Sequence, residues 1–177
     1  MNDRRYRAAL IGLGRIADTI DDETVGSGWL APFSHMGSYL DVPEVLVVGA
    51  ADRYPEQREA FGRRWGVPAE KLYESYQEML ERERPDIVSI CTHVAPRAEI
   101  TLDIVRMVRE GRTGVKCIWV EKPMAVALQE ADSMQAMASL TCPTPALQMR
   151  CGRGKTCRTG VGRAPSTTCP IRHSSNS

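Results

Sequence analysis

No apolar stretch in this 177-residue chain approaches the roughly 20 residues that a membrane-spanning helix requires. The N-terminus has no apolar leader core: Met1 to Tyr6 is polar, and Ala8 to Leu13 is short and ends in a glycine turn. Neither sign of charge dominates. A net of +1 argues for neither a nucleic-acid binder nor a membrane-surface protein. There is no internal repeat and no Cys-x-x-Cys knuckle. These absences point to a cytoplasmic protein in a reducing compartment, without a disulfide framework and without a metal site.

The balanced charge conceals a split. From Thr141 onward there are six basic residues (Arg150, Arg153, Lys155, Arg158, Arg163, Arg172) and no acid, so residues 1–140 carry 17 basic groups against 22 acids. Cysteines divide at the same place. Cys91 and Cys117 lie in apolar runs and read as small core residues. Cys142, Cys151, Cys157 and Cys169 crowd the tail with His173, at spacings that match no zinc site. Gly152 to Thr156 imitates a phosphate loop, but Met149 stands where its first glycine belongs. The tail has no aromatic residue for base stacking and no sustained 2.0 or 3.6 period. Residues 141–177 are therefore expected to form a disordered tail, since they bury too little apolar area to offset ordering entropy.

Residues 1–140 alternate strand-like and helix-like patterns. Continuous apolar runs at Tyr6 to Gly12, Val45 to Ala51, Ile87 to Cys91 and Cys117 to Val120 predict buried strands, with a short one at Leu72 and Tyr73. Helices are predicted from Gly14 to about Thr19, over His35 to Leu40 where a helical turn resumes, and over Pro55 to Trp65, Tyr76 to Arg82, Ala98 to Arg109 and Leu128 to Leu140. Ala60, Phe61 and Trp65 share one face of the third of these, and Asp21 to Pro32 reads as a loop. Ser75 is a candidate N-cap, with Glu78 at the capping-box position. Continuously apolar strands alternating with helices imply a parallel sheet covered on both faces: a three-layer α/β, Rossmann-type, doubly wound domain.

Gly12-Leu13-Gly14-Arg15-Ile16-Ala17 is G-x-G-x-x-A, placed immediately after a predicted strand and before a predicted helix. In that context Gly12 permits the tight turn, Gly14 lets a pyrophosphate approach bare backbone, and Ala17 lets helix pack on strand. The N–H groups of Arg15 and Ile16 then face the phosphates. Asp52 closes the second strand, where a carboxylate accepts from ribose hydroxyls and repels a 2′-phosphate, favouring NAD over NADP. It lies 35 residues after Ala17, beyond the usual 20 or so, and the Asp21 to Pro32 loop absorbs the excess. The neighbouring Arg53 is a candidate receptor for a 2′-phosphate, which keeps NADP open.

Taken in order, GLGRIA, AADRYPEQREAFGRRWGV, LYESYQEMLERERPDIVSICT and WVEKPMAVALQEADSM resemble the N-terminal half of the Gfo/Idh/MocA oxidoreductases over about residues 5–140. The specific element is Glu121-Lys122-Pro123 at a strand end. The resemblance implies NAD(P)-dependent hydride transfer at a secondary alcohol of a sugar, cyclitol or derivative. It implies Lys122 as the catalytic group, reaching the nicotinamide ribose and the substrate oxygen. Glu121 would orient that lysine and contact the cofactor, and Thr92 would contact ribose or pyrophosphate. Two features depart from the family. Arg97 stands where a histidine is expected and His93 where a proline is, so His93 reads as either a solvated loop residue or a neighbour of nicotinamide. His35 falls where some members carry a site histidine, with a structural role equally open. The C-terminal α/β domain of the family has no counterpart, and the tail reads as a shifted frame or a truncated product. An oxidoreductase with little activity alone, a non-catalytic NAD-binding remnant and an interaction module therefore all stand. Self-association is expected from the apolar surface that a missing domain leaves.

Overall fold

The computed structural model describes residues 5–25 and 32–141. Five parallel strands, β1 (Tyr6–Ile11), β2 (Val45–Ala51), β3 (Leu72–Tyr73), β4 (Ile87–Ile90) and β5 (Cys117–Val120), form one sheet in the order β3-β2-β1-β4-β5. Connections run outward from β1 in both directions, which is the doubly wound arrangement expected from the alternating pattern. The switch point falls between β1 and β4, which pair up to Ile11 and Ile90 at their carboxyl ends.

Alternation along β1 divides the core in two. Ala8 and Leu10 face α1 (His35–Leu40) and α2 (Pro55–Trp65), packing with Leu13, Ala17, Met36 and Phe61. Ala9 and Ile11 face α3 (Tyr76–Glu83) and α4 (Arg97–Arg109), packing with Met79, Leu80, Ile104 and Val105. The last helix, α5 (Leu128–Thr141), adds the fully buried Met134 to this second layer. Small residues in the middle strands let both layers approach closely. Ser75 caps α3 as expected, its hydroxyl accepting from the Glu78 amide at 3.3 Å. The αL residue Gly111 (φ +73°) follows α4.

Two expectations need correction. Ala60 is exposed, so α2 docks through Phe61 with the half-buried Trp65 beside it. More consequentially, the helix expected from Gly14 to about Thr19 does not form. Residues 15–19 form a single turn, a 3-10 segment occupies Ile20–Thr24, and α1 starts only at His35. The chain nevertheless resumes the same helical path. The His35 amide donates to the Ile16 carbonyl and the Met36 amide to that of Ala17, each at 3.1 Å. Residues 20 and 21 would make those bonds in an unbroken helix. Residues 20–34 are thus an excursion inserted into one helix, and removing these 15 from the 35 between Ala17 and Asp52 restores the usual spacing of about 20. The Asp21 carboxylate closes the excursion by accepting from the Phe33 and Ser34 amides. Arg64 of α2 pairs with Asp22 and with the buried Asp18. The expectation of disorder for the tail concerns residues that, beyond Thr141, lie outside those described.

One buried acid ties the amino ends of the sheet together. Glu83 accepts from Lys71 at 2.7 Å and Tyr73 at 2.6 Å, and lies 3.4 Å from the Arg7 guanidinium. Burial alone would raise its pKa, but the bonds from Lys71 and Tyr73 and the Arg7 charge outweigh that and hold it below the usual glutamate range. A carboxylate with a depressed folded-state pKa stabilises the fold above its unfolded value, and that contribution fades as pH falls through the folded one. Stability should therefore drop progressively below about pH 4.3, the ordinary glutamate value. In urea titrations Glu83→Gln should be less stable at pH 7 and show a flatter acid dependence; an unchanged slope would remove Glu83 from the account.

Candidate cofactor site

Gly12 leaves β1 at φ +86°, a conformation that an L side chain rarely adopts. A β-carbon there would lie 2.7 Å from the Thr92 nitrogen and 2.9 Å from its α-carbon. The absence of a side chain thus brings the end of β1 against the end of β4. Gly14 differs: nothing lies within 4 Å of where its β-carbon would be. Its backbone faces open space. The amides of Gly14, Arg15 and Ile16 make no hydrogen bond to another described residue, while Ala17 and Asp18 already turn back onto the Gly14 carbonyl. Three neighbouring unpaired N–H groups beside bare backbone suit an anion. A single turn stacked on α1, not a long unbroken helix, provides this end.

Asp52 stands directly after β2, its carboxylate accepting from the Leu13 amide at 2.8 Å and the Tyr54 amide at 3.0 Å. One contact aims the carboxylate at the glycine turn, and each oxygen keeps a lone pair for a further donor. Arg15 is exposed and forms a two-pronged pair with Glu23, while Ile16 packs its half-buried side chain against the α1 layer. Arg53 stacks on the Tyr54 ring, 4.6 Å from its centroid, and donates to its hydroxyl at 2.6 Å.

The opposite wall comes from β4 and β5. Thr92 is half-buried against Gly12, and His93 is exposed. Glu121 and Lys122 follow β5, with a cis bond between Lys122 and Pro123. Lys122 is exposed, and no described carboxylate pairs with its ammonium. Glu121 is mostly buried; one oxygen lies 3.0 Å from His35 Nε2, and the other accepts the Lys122 amide at 3.3 Å. Beneath, His35 Nδ1 is 2.9 Å from Ser89 Oγ, which is 2.7 Å from the Tyr39 hydroxyl. Burial pushes the Tyr39 phenol up to about 12, so it remains a neutral hydroxyl.

Arg97, which sequence comparison treated only as a displaced histidine, proves to be the organiser of this wall. It is 6% exposed and donates to the carbonyls of Thr92 (2.9 and 2.6 Å), Glu121 (2.8 Å) and Pro123. A guanidinium fork can hold three carbonyls of two separate loops; a histidine in its place could not. Only its position at the start of an amphipathic helix, where a charge faces inward, hinted at this.

A parallel doubly wound sheet with a bare glycine turn, free amides and a β2-terminal acid is the dinucleotide-binding Rossmann class of domain. The comparisons agree. Residues 6–141 match the model of the Gfo/Idh/MocA oxidoreductase family, described as having an NAD-binding Rossmann fold. This chain belongs to that family. No curated protein matches it. Among solved structures it is similar to an oxidoreductase from Agrobacterium radiobacter in complex with NAD+, L-tartaric acid and magnesium (21% identity, TM-score 0.60, covering 82% of this chain and 35% of that one). It is likewise similar to myo-inositol 2-dehydrogenase from Lactobacillus plantarum (23%, 0.57, 78% and 34%). A third is the WlbA dehydrogenase from Bordetella pertussis in complex with NADH and UDP-GlcNAcA (18%, 0.58, 82% and 36%). The chain thus spans about a third of the length of the structures it matches.

Replacing Arg97 by alanine would leave three carbonyls short of their charged donor in a partly buried place. It should cost about 2–4 kcal/mol in urea unfolding. Arg97→Lys, a single point charge, should recover only part of that; full recovery would show that the fork geometry is unimportant.

Proposed function

We propose that residues 1–140 form the cofactor-holding unit of an oxidoreductase acting on a secondary alcohol of a sugar, cyclitol or related polyol. The observation that carries the reading is the set of free amides at Gly14, Arg15 and Ile16, with the Asp52 carboxylate held beside them by the Leu13 amide. These groups suit a pyrophosphate and an adenosine ribose, respectively. Asp52 would accept from the ribose hydroxyls, and its charge disfavours a 2′-phosphate. Arg53, committed to Tyr54, offsets this little, so NAD is the cofactor. Thr92 lines the crevice where β1 and β4 part.

A bound nicotinamide ring supplies or accepts the hydride. In reduction the Lys122 ammonium would donate a proton to the substrate oxygen as negative charge develops there; in oxidation the neutral Lys122 amine would take the alcohol proton back. No carboxylate among the described residues pairs with its side chain, which leaves it available. Glu121, anchored from below and bonded to the Lys122 amide, sets where that residue begins. The free, buried thiol of Cys91 suits a cytoplasmic setting, and no described helix is long and apolar enough to cross a membrane.

Calorimetry provides the test. The 177-residue chain should bind NAD+ more tightly than NADP+. Asp52→Ala should weaken NAD+ by about tenfold or more, the worth of a lost bond to a charged acceptor, and narrow the difference between the two. An unchanged NAD+ affinity would remove Asp52 from the site. In assays of NAD+ reduction over a panel of polyols, Lys122→Met should lower turnover by about a hundredfold or more while leaving NAD+ affinity within about threefold.

A further inference from the structure

The two walls of the crevice are joined by one residue that the proposed chemistry does not use. The His35 amide donates to the Ile16 carbonyl at 3.1 Å, splicing α1 onto the glycine turn, while its ring lies 3.0 Å from Glu121 on the other wall. We infer that His35 is a positioning residue: its ring, held in a single tautomer by Ser89 and Tyr39, fixes the Glu121 carboxylate and through it the start of Lys122.

Hydrogen-bond bookkeeping sets the tautomer. Ionised Glu121 only accepts, so Nε2 carries the ring proton and donates to it. Among the described residues Ser89 Oγ is the one partner of the Tyr39 hydroxyl, so Tyr39 donates to it and the Ser89 hydroxyl donates onward to Nδ1, which accepts. Every donor in the string finds an acceptor, and all bonds run in one sense, from Tyr39 toward Glu121. The Trp119 ring meets the imidazole edge-on at 5.0 Å and limits its rotation. Ser89 is fully buried and His35 and Tyr39 nearly so, which makes each of these bonds costly to leave unmade. Glu121 thereby has one oxygen fixed from below and the other on the Lys122 amide, while Arg97 holds its carbonyl. The arrangement parallels the way a carboxylate or hydroxyl partner fixes the ring of a functional histidine, with the imidazole here acting on a carboxylate.

The inference rests on the reading of Lys122 and Glu121 as the nicotinamide end of the site, and its test separates the two. The sequence holds three histidines, so ring nitrogens of the 15N-labelled full-length chain can be assigned by comparison with His35→Gln. Without any ligand, His35 should show a protonated Nε2 and an Nδ1 shifted as a hydrogen-bond acceptor. His35→Leu should displace the Lys122 backbone amide resonance. His35→Gln, which keeps a donor toward Glu121, should restore it. With NADH added, His35→Leu should bind about tenfold more weakly and His35→Gln within about twofold of the unsubstituted chain. If His35→Leu does not fold, Ser89→Ala decides the matter, since it should remove the acceptor shift at Nδ1 and move the Lys122 amide. A proton on Nδ1, or a Lys122 amide unmoved in a folded variant, would overturn the inference. Failure of the unsubstituted chain to bind NADH would instead defeat the reading of the site, while the tautomer and the Lys122 amide would still decide the role of His35.

Discussion

At the carboxyl end of β1 there is no room for a β-carbon, and the rest of the site is arranged around that fact. Gly12 turns at positive φ with the Thr92 backbone where its side chain would be. The contact draws the ends of the two central strands together at the point where the connections of the sheet change direction. It aims the following amides into the crevice, and Leu13 is then placed to receive the Asp52 carboxylate. A β-carbon at position 12 would force the strand ends apart and misdirect all of these groups together.

Much of this was legible from local pattern. The apolar strands, the α2 limits at Pro55 and Trp65, the Ser75 cap and the glycine after α4 each follow from residues close in sequence. The positions of Gly12 and Asp52 at the carboxyl ends of β1 and β2 follow in the same way, because a glycine motif after a strand carries its context with it. The split helix was not legible. The pattern at Gly14 to Ala17 announces a helix and the loop after it announces a break, yet nothing local says that His35 resumes the path that Ile16 left. That follows from two amide bonds spanning nineteen residues. Ala60 illustrates a smaller failure: helical periodicity places it on the inward face, but Phe61, with Trp65 half-buried beside it, makes the contact.

The second wall depends on polar residues whose partners lie far away in the chain. Arg97 sits 24 residues from Glu121, and His35 lies 54 from Ser89 and 86 from Glu121. Each reads locally as an ordinary helix residue. Their meaning comes from the sheet, which sets β4 beside β5 in register and turns Ser89 and Trp119 toward α1 on the same face. Held by a buried guanidinium from one side and a buried imidazole from the other, the Glu121-Lys122 turn is the more firmly supported wall, whereas the glycine turn is supported mainly by the exclusion of side chains. The division leaves rigid support beneath the polar groups of one wall and open backbone on the other.

The central claim is that a dinucleotide seats its pyrophosphate on the bare backbone between Gly12 and Ile16. Amide spectra of the 15N-labelled chain titrated with NAD+ test it most directly. The account predicts that the Gly14, Arg15 and Ile16 resonances move together and saturate with one equivalent. A folded chain whose amides at those three positions stay fixed as NAD+ is added would contradict it.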